Sequence, residues 1–313
     1  MIKKVLHSNS QNYFCTLAIG EKYVKNFKKY TFKNFKIYCK KNDIGLFVIT
    51  KDLLDKKSNY WKKPEWQKLI APKMLYSKFK NIKNICMIDT DILINTESPN
   101  IFNFHKSNTI SVISIRKYMP YDWRETTRKM AFLRKKYYSK KYPLDSALNI
   151  SIQNLYKFHN LSPQNDEFCA GVYIISKNNF NVLSDFFFKF DKNVKSITNG
   201  GEQTHFNYFI QKNLKLNILD YKFQAQWVFE MANYYPFLYS KKYNSSKLVK
   251  ECVLNSLFNN FFLHFAGSWY ESDLLFKSKL KESDYLSSSK YQLNKYLNKN
   301  IISTGAKRIL PKK

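Results

Sequence analysis

Apolar runs divide the chain into segments of two periods. Residues 13–19 form a short apolar run and predict a strand. Residues 21–42 carry Tyr23, Phe27, Tyr30, Phe32 and Phe35 at helical spacings, and residues 45–50 form a second apolar run. Strand, helix and strand in that order predict a βαβ unit and a parallel sheet. Residues 66–80 predict a helix with Leu69, Ile70, Met74 and Leu75 on one face, which Pro72 either kinks or restarts. Residues 85–94 predict a strand too apolar to have a wet face, as in sheets covered on both sides. Further strands are predicted over 109–115, 168–176 and 261–267, with helices over about 178–190 and from Gly200-Gly201 to about Lys212. The pattern predicts an α/β class: one domain over 1–276 with a mainly parallel central sheet flanked by helices, then a basic tail over 277–313 with loosely helical spacing.

Composition narrows the class. A chain of 313 residues that is 44% hydrophobic and 17% aromatic can build a sizeable core, which argues against disorder. Seven glycines and eight prolines exclude collagen-like and Pro-rich chains. The net charge of +30 suggests a polyanionic partner: nucleic acid, anionic lipid or a phosphorylated substrate. Yet 48 of the 53 basic residues are Lys and only five are Arg, whereas base-reading proteins lean on the Arg fork. The wealth of Lys, Asn, Ile, Tyr and Phe also matches an AT-rich coding bias, a second source of the charge. Four of the five arginines, Arg116, Arg124, Arg128 and Arg134, fall in 116–145, where cations alternate with aromatics. That stretch reads as an insertion on the sheet's rim.

Cys15, Cys39, Cys86, Cys169 and Cys252 are scattered, without a Cys-x-x-Cys pair, and predict buried free thiols in a reducing compartment. The basic N-terminus lacks the apolar stretch of a signal peptide, and no run approaches the ~18 apolar residues of a membrane span. The expected location is the cytoplasm, with peripheral contact at the inner face of a membrane.

Asp89-Thr90-Asp91 is the strongest chemical signal. Two carboxylates two apart on an extended chain point the same way. At the carboxyl end of a buried strand they lie where open α/β sheets place ligands. A convergent pair of acids repels itself unless a cation sits between, and Mg²⁺ or Mn²⁺ suits oxygen ligands. An Asp-x-Asp elsewhere is commonly a solvated turn, but apolar strands rarely carry two acids for stability. His264, in Phe-Leu-His-Phe-Ala-Gly267, is either a satisfied core histidine or the third ligand of an open metal site. Glu202-Gln203, after Gly200-Gly201, is either a helix start with an acid favoured by the dipole or a polar cluster facing a sugar.

These segments together resemble the nucleotide-sugar glycosyltransferases of the GT-A fold, most closely glycosyltransferase family 8, the glycogenin and lipopolysaccharide galactosyltransferase group. The resemblance runs discontinuously over 13–270. It rests on Ala18-Ile-Gly-Glu-Lys-Tyr23, Trp66-Gln-Lys68-Leu-Ile-Ala-Pro72, Met87-Ile-Asp89-Thr-Asp91-Ile-Leu, Phe168-Cys-Ala-Gly-Val, Glu202-Gln203-Thr-His-Phe-Asn207 and His264-Phe-Ala-Gly267. It implies a Mn²⁺ or Mg²⁺ ion on Asp89, Asp91 and His264. It also implies a UDP-sugar donor near Ala18, Ile19, Tyr23, Lys68, Asp89, Thr90 and Gly267, with Tyr23 stacked on the base. Gln203 then lies near the reacting face with Glu202 positioning it or the sugar, and transfer of a hexose proceeds with retention. The expected acceptor is a glycan or lipid-linked glycan, bound on the side of 116–145 and the tail. Three family positions depart: Cys169 replaces a sugar-binding Asn, Gly20 a uracil-binding Asp and Tyr270 a diphosphate-gripping Lys.

Three rival readings compete. An inverting GT-A transferase needs a carboxylate base, for which Glu202 or Glu167 is a candidate. A sugar-phosphate nucleotidyltransferase shares the general sheet, but no Gly-rich phosphate loop follows the first strand. A basic protein binding nucleic acid or an anionic membrane explains the charge but not the two acids ending a buried strand; nucleic acid is the partner the reading disfavours.

Overall fold

Strand alternation sets the two faces of the central sheet. In β2 (Asn12–Leu17), β3 (Gly45–Ile49) and β4 (Asn84–Ile88), given with β1 (Ile2–Leu6), odd and even positions part company. Cys15, Phe47 and Met87 enter one core, and Phe14, Leu46 and Cys86 enter another on the opposite face. The computed structural model describes residues 2–141, 150–191, 201–267 and 270–286.

The remaining strands are β5 (Ile92–Ile94), β6 (Ile110–Ser114), β7 (Phe168–Ser176), β8 (Leu216–Leu219), β9 (Ala225–Gln226) and β10 (Phe262–His264). A seven-stranded sheet runs β1-β3-β2-β4-β7-β6-β8, and a three-stranded sheet runs β5-β10-β9. Strands β3, β2 and β4 are parallel, as are β6 and β8; β1 and β7 run antiparallel to their neighbours. The α/β class with a helix-flanked central sheet therefore stands, as a mixed sheet. Helices Ala71–Lys78, Phe180–Lys189 and Gln203–Asn213 contribute to the first core, and helices Glu21–Tyr30 and Phe32–Lys41 to the second.

Several elements differ from the sequence expectations. The helix expected over 21–42 is two, divided at the buried Thr31, whose hydroxyl donates to the Thr90 carbonyl at 2.6 Å. The helix expected over 66–80 is also two, Pro64–Gln67 and Ala71–Lys78, with Pro72 in the first turn of the second. The strand expected over 85–94 ends at Ile88, turns through 89–91 and resumes as β5 in the other sheet. Strands β1, β8 and β9 carry no apolar run of their own, and pairing to neighbours creates them.

A third core joins the small sheet to helices Trp227–Tyr234, Ser246–Asn259 and Tyr270–Lys277. The basic stretch is part of it. Helix Trp123–Tyr137 inserts Met130 and Leu133, and Arg134 forms a buried ion pair with Glu271 at 2.7 Å. Residues 142–145 of that stretch lie outside the described residues, as do Gly200 and residues 287–313 of the tail. The tail's described part includes helix Glu282–Leu286, anchored by Lys33–Glu282 and Lys250–Asp284 ion pairs. All five cysteines are buried and free. No helix among the described residues is long and apolar enough to cross a membrane.

Candidate metal centre

Two sheets meet at the turn 89–91, and the meeting assembles the site. Strand β4 delivers Asp89, and the backbone turns before β5. The turn is held from three directions: Asp89 N–H donates to the Gly171 carbonyl at 2.9 Å, Thr31 donates to Thr90, and Phe265 N–H donates to the Asp91 carbonyl at 3.0 Å. Antiparallel pairing then sets His264 opposite Ile92, next to Asp91. The His264 Nε2 lies 3.3 Å from Asp91 Oδ1 and 3.9 Å from Asp89 Oδ2. One ligand atom from each of the three residues falls within 4.8 Å of the others.

The donor set fits a divalent ion. Asp89 and Asp91 are half-exposed, which leaves room for further ligands, while His264 is only 3% exposed. With the Gln224 amide oxygen toward the ring, it accepts from His264 Nδ1 at 3.2 Å and from Val172 N–H at 3.0 Å. The Gln224 NH₂ then donates to the Cys169 carbonyl at 3.2 Å. A proton on Nδ1 toward the Gln224 oxygen leaves the Nε2 lone pair toward the carboxylates, the tautomer a metal ligand needs, and the Gln226 amide nitrogen lies 3.3 Å from the same Nδ1. In the absence of an ion, burial pulls the imidazole pKa down, but the Asp91 carboxylate and its hydrogen bond, with Cys169, lift it well above the ordinary range. Proton and cation therefore suit the same electrostatic slot.

Lys68 supplies a second layer. Its Nζ is 3.1 Å from Asp89 Oδ1, 3.1 Å from Glu202 Oε1 and 3.0 Å from the Ala170 carbonyl. Burial alone would lower its pKa, but Asp89 and Glu202 outweigh burial and hold the ammonium charged. Glu202 is thus spent on Lys68, inside the protein. Its neighbour Gln203 is half-buried, and its NH₂ donates to Glu167 Oε1 at 2.7 Å. The other oxygen of Glu167 takes Nε and a terminal nitrogen of Arg116, each at 2.7 Å.

Irregularity in β7 makes this assembly possible. Val112 pairs with Tyr173 and Ser114 with Phe168, so two steps along β6 match five along β7. Within this stretch, residues 169–171 turn their carbonyls to the site: Cys169 to Gln224, Ala170 to Lys68 and Gly171 to Asp89. A Cβ on Gly171 would collide with His264 and Gln224.

The expected donor residues divide between two clefts. Tyr23, Thr90, Asp91 and Gly267 line one cleft of about 260 Å³ beside the metal triad. Tyr23 is 61% exposed there, and Gly267 turns the chain at φ 83°. Ala18 is fully buried in the second core and, with Gly20, borders a separate hollow of about 950 Å³ against β1. Ile19 between them is half-buried. Among the departures, Cys169 Sγ sits 3.7 Å from His264 Nδ1, and Tyr270 hydrogen-bonds Asn244. Gln224 has no counterpart in the sequence reading, where Gly171 enters only within the Phe168-Cys-Ala-Gly-Val segment. Gln224 has no motif around it, and its role exists only through the fold.

No family model matches the chain, and no curated protein matches it. Solved structures do. A glycosyltransferase involved in glycosylation of the major capsid of PBCV-1 is similar at 8% identity and a TM-score of 0.48, over 86% of this chain and 99% of that one. The glycosyltransferase GlyE of Streptococcus pneumoniae TIGR4 is similar at 11% identity and a TM-score of 0.42, over 90% of this chain and 63% of that one. The bifunctional glycosyltransferase WbbM is similar at 10% identity and a TM-score of 0.45, over 92% of this chain but 52% of its own length.

Proposed function

We propose that this chain is a metal-dependent glycosyltransferase of the GT-A type that moves a hexose from a UDP-sugar to a glycan or lipid-linked glycan acceptor. The observation that carries the reading is the convergence of Asp89, Asp91 and His264 from two sheets, with the three ligand atoms within 4.8 Å. Such a set holds Mn²⁺ or Mg²⁺ with open positions. The bound ion supplies Lewis-acid neutralisation of a departing diphosphate.

The protein's own residues do the rest. Tyr23 offers an exposed ring in the cleft that Thr90 and Asp91 also line, and its role in this reading is to stack on the nucleotide base. Lys68 holds Asp89 at 3.1 Å through Oδ1 and at 3.5 Å through Oδ2, the oxygen that also faces His264. Glu167 grips the NH₂ of Gln203, so the amide oxygen is the end left for substrate. A carboxamide is a poor nucleophile, so Gln203 orients and stabilises rather than attacks. Glu202 acts through Lys68 as a positioning residue.

Retention is the reading the geometry favours. An inverting reaction needs a free carboxylate base near the acceptor. The two candidates are both committed, Glu167 to Arg116 and Gln203, and Glu202 to Lys68. The nucleotidyltransferase alternative lacks its phosphate loop, as before.

A panel of UDP-hexoses incubated with Mn²⁺ and no acceptor, scored for UDP release, tests the reading. Asp91→Asn should cut release on the order of 100-fold, ~2.7 kcal/mol in the barrier, with the thermal transition unchanged. Near-normal turnover in that variant would remove the metal-site reading.

A further inference from the structure

The arginines are placed unlike the lysines. In a chain that uses Lys for 48 of its 53 cations, coding bias predicts Lys wherever a charge alone suffices. Four of the five arginines nevertheless lie between 116 and 134. Two of these have structural work: Arg116 is ion-paired to Glu167 and Arg134 to Glu271, both with buried side chains. Arg308 lies outside the described residues. The other two, Arg124 and Arg128, are exposed, stand four apart on one face of helix Trp123–Tyr137, and pair with no carboxylate among the described residues.

Both border a trough. Two clefts, of about 540 and 820 Å³, lie side by side and share Trp123, Arg124 and Ser151, together forming the trough. Lys117 lies on the rim of the first, and Arg128 and Lys135 on that of the second. Asp122 is the acid that lines it, and its carboxylate accepts from Glu125 N–H as the helix cap. Trp123 lines both clefts. The Arg116 guanidinium lies 3.9 Å from the centre of its ring, and the indole stays half-exposed. Gln153, Asn154 and Asn165 add amides along the same walls.

The trough is also wired to the metal centre. Trp123 stacks on Arg116, Arg116 holds Glu167, and Glu167 holds Gln203, which follows Glu202 on Lys68 and Asp89. One continuous chain of contacts joins the trough floor to the reacting side.

We infer that this trough is the acceptor site and that the acceptor is an anionic glycan, one bearing carboxylates or phosphates along its sugars. The inference rests on the transferase reading above. A half-exposed indole suits a sugar ring's apolar face, and neighbouring amides suit its hydroxyls. Unpaired Arg forks suit carboxylate or phosphate groups, and their geometry is what Lys lacks. A membrane surface is the competing partner, favoured by the exposed Phe132, which lines the second cleft. A concave trough lined by amides fits a chain molecule better than a bilayer.

The full chain is titrated with hexagalacturonate and with neutral maltohexaose at physiological ionic strength, and sedimented with phosphatidylglycerol vesicles. The variants are Arg124→Gln/Arg128→Gln and, as a charge-matched control at exposed lysines that line neither cleft, Lys212→Gln/Lys215→Gln. The trough pair should weaken hexagalacturonate about tenfold or more, ~1.4 kcal/mol, with the control within about twofold. Maltohexaose should bind more weakly to wild type and be unaffected by the trough pair. Equal losses in both double variants would reduce the effect to net charge and overturn the inference. So would a trough pair that loses vesicle binding while keeping hexagalacturonate. UDP release without acceptor is measured on the wild-type chain; its absence would sink the transferase reading, while the titration still decides the trough.

Discussion

A Cβ placed on Gly171 would lie 2.4 Å from Cε1 of His264 and 2.9 Å from its Nδ1. The backbone of β7 can approach the imidazole only because that side chain is missing. Gly171→Ala must push His264 away from Asp91 or push β7 away from β4. Overpacking of this kind costs about 1–3 kcal/mol. Calorimetric titration should show Mn²⁺ affinity falling by more than the stability loss explains, since a misdirected Nε2 no longer closes the triad. A variant that keeps wild-type Mn²⁺ affinity would show that His264 is a packing residue.

Lys68 and Glu202 form a pair whose side chains are each 8% exposed. Removing one member leaves the other buried and uncompensated. Lys68→Met should therefore cost about 3–5 kcal/mol in urea unfolding at neutral pH. Burial already raises the Glu202 pKa against the pull of Lys68, so without the ammonium it takes up a proton. Lys68→Met/Glu202→Gln should recover much of the loss. Equal stability of the single and double variants would mean the pair is not coupled.

Tyr23 separates a binding role from a core role. Its ring is 61% exposed, so deletion removes little packing. Tyr23→Ala should leave the unfolding midpoint nearly unchanged and raise the KM for the UDP-sugar about tenfold, ~1.4 kcal/mol, with kcat little altered. Lost stability with an unchanged KM would contradict the stacking assignment.

His105 bridges two strands, with Nδ1 2.7 Å from Ser111 Oγ and Nε2 2.8 Å from Ser176 Oγ. Burial lowers its pKa to about 4. The unfolded chain takes up this proton near the ordinary value of about 6.5. Between those values the unfolded state binds more protons, so stability falls as pH drops from about 6.5 to about 4 and is not lost further below. His105→Asn should flatten the stability–pH curve in that window by up to one proton, leaving it unchanged above pH 7. Parallel curves for the two proteins would show that His105 does not titrate there.

Much of this was legible in the chain. The apolar runs ending at Ile88 and spanning 168–176 marked buried strands, because a strand covered on both faces can hold almost nothing polar. Two acids at the end of such a strand stood out for the same reason. Local pattern also separated Asp89 and Asp91 from the chain's many solvated charges. The breaks at Thr31 and at 89–91 were not legible. Each depends on a partner distant in sequence: Thr31 on Thr90, and β5 on β10.

What the sequence determined alone was the α/β class, the buried strands and the pair of carboxylates, since these follow from periods and polarities within a few residues. The tertiary structure decided which groups meet those carboxylates. His264 arrives through antiparallel pairing of β10 with β5, and Lys68 arrives from the helical segment before β4. Glu202 is drawn inward by Lys68, and Gln224 and Gln226 meet the imidazole Nδ1 from a segment with no signature. The extra backbone in β7 turns three carbonyls to the site, an event invisible in an apolar run. Side chains far apart in sequence share a site only when packing supplies the geometry, and a charge or an imidazole acquires its role only from the partners that packing leaves within reach.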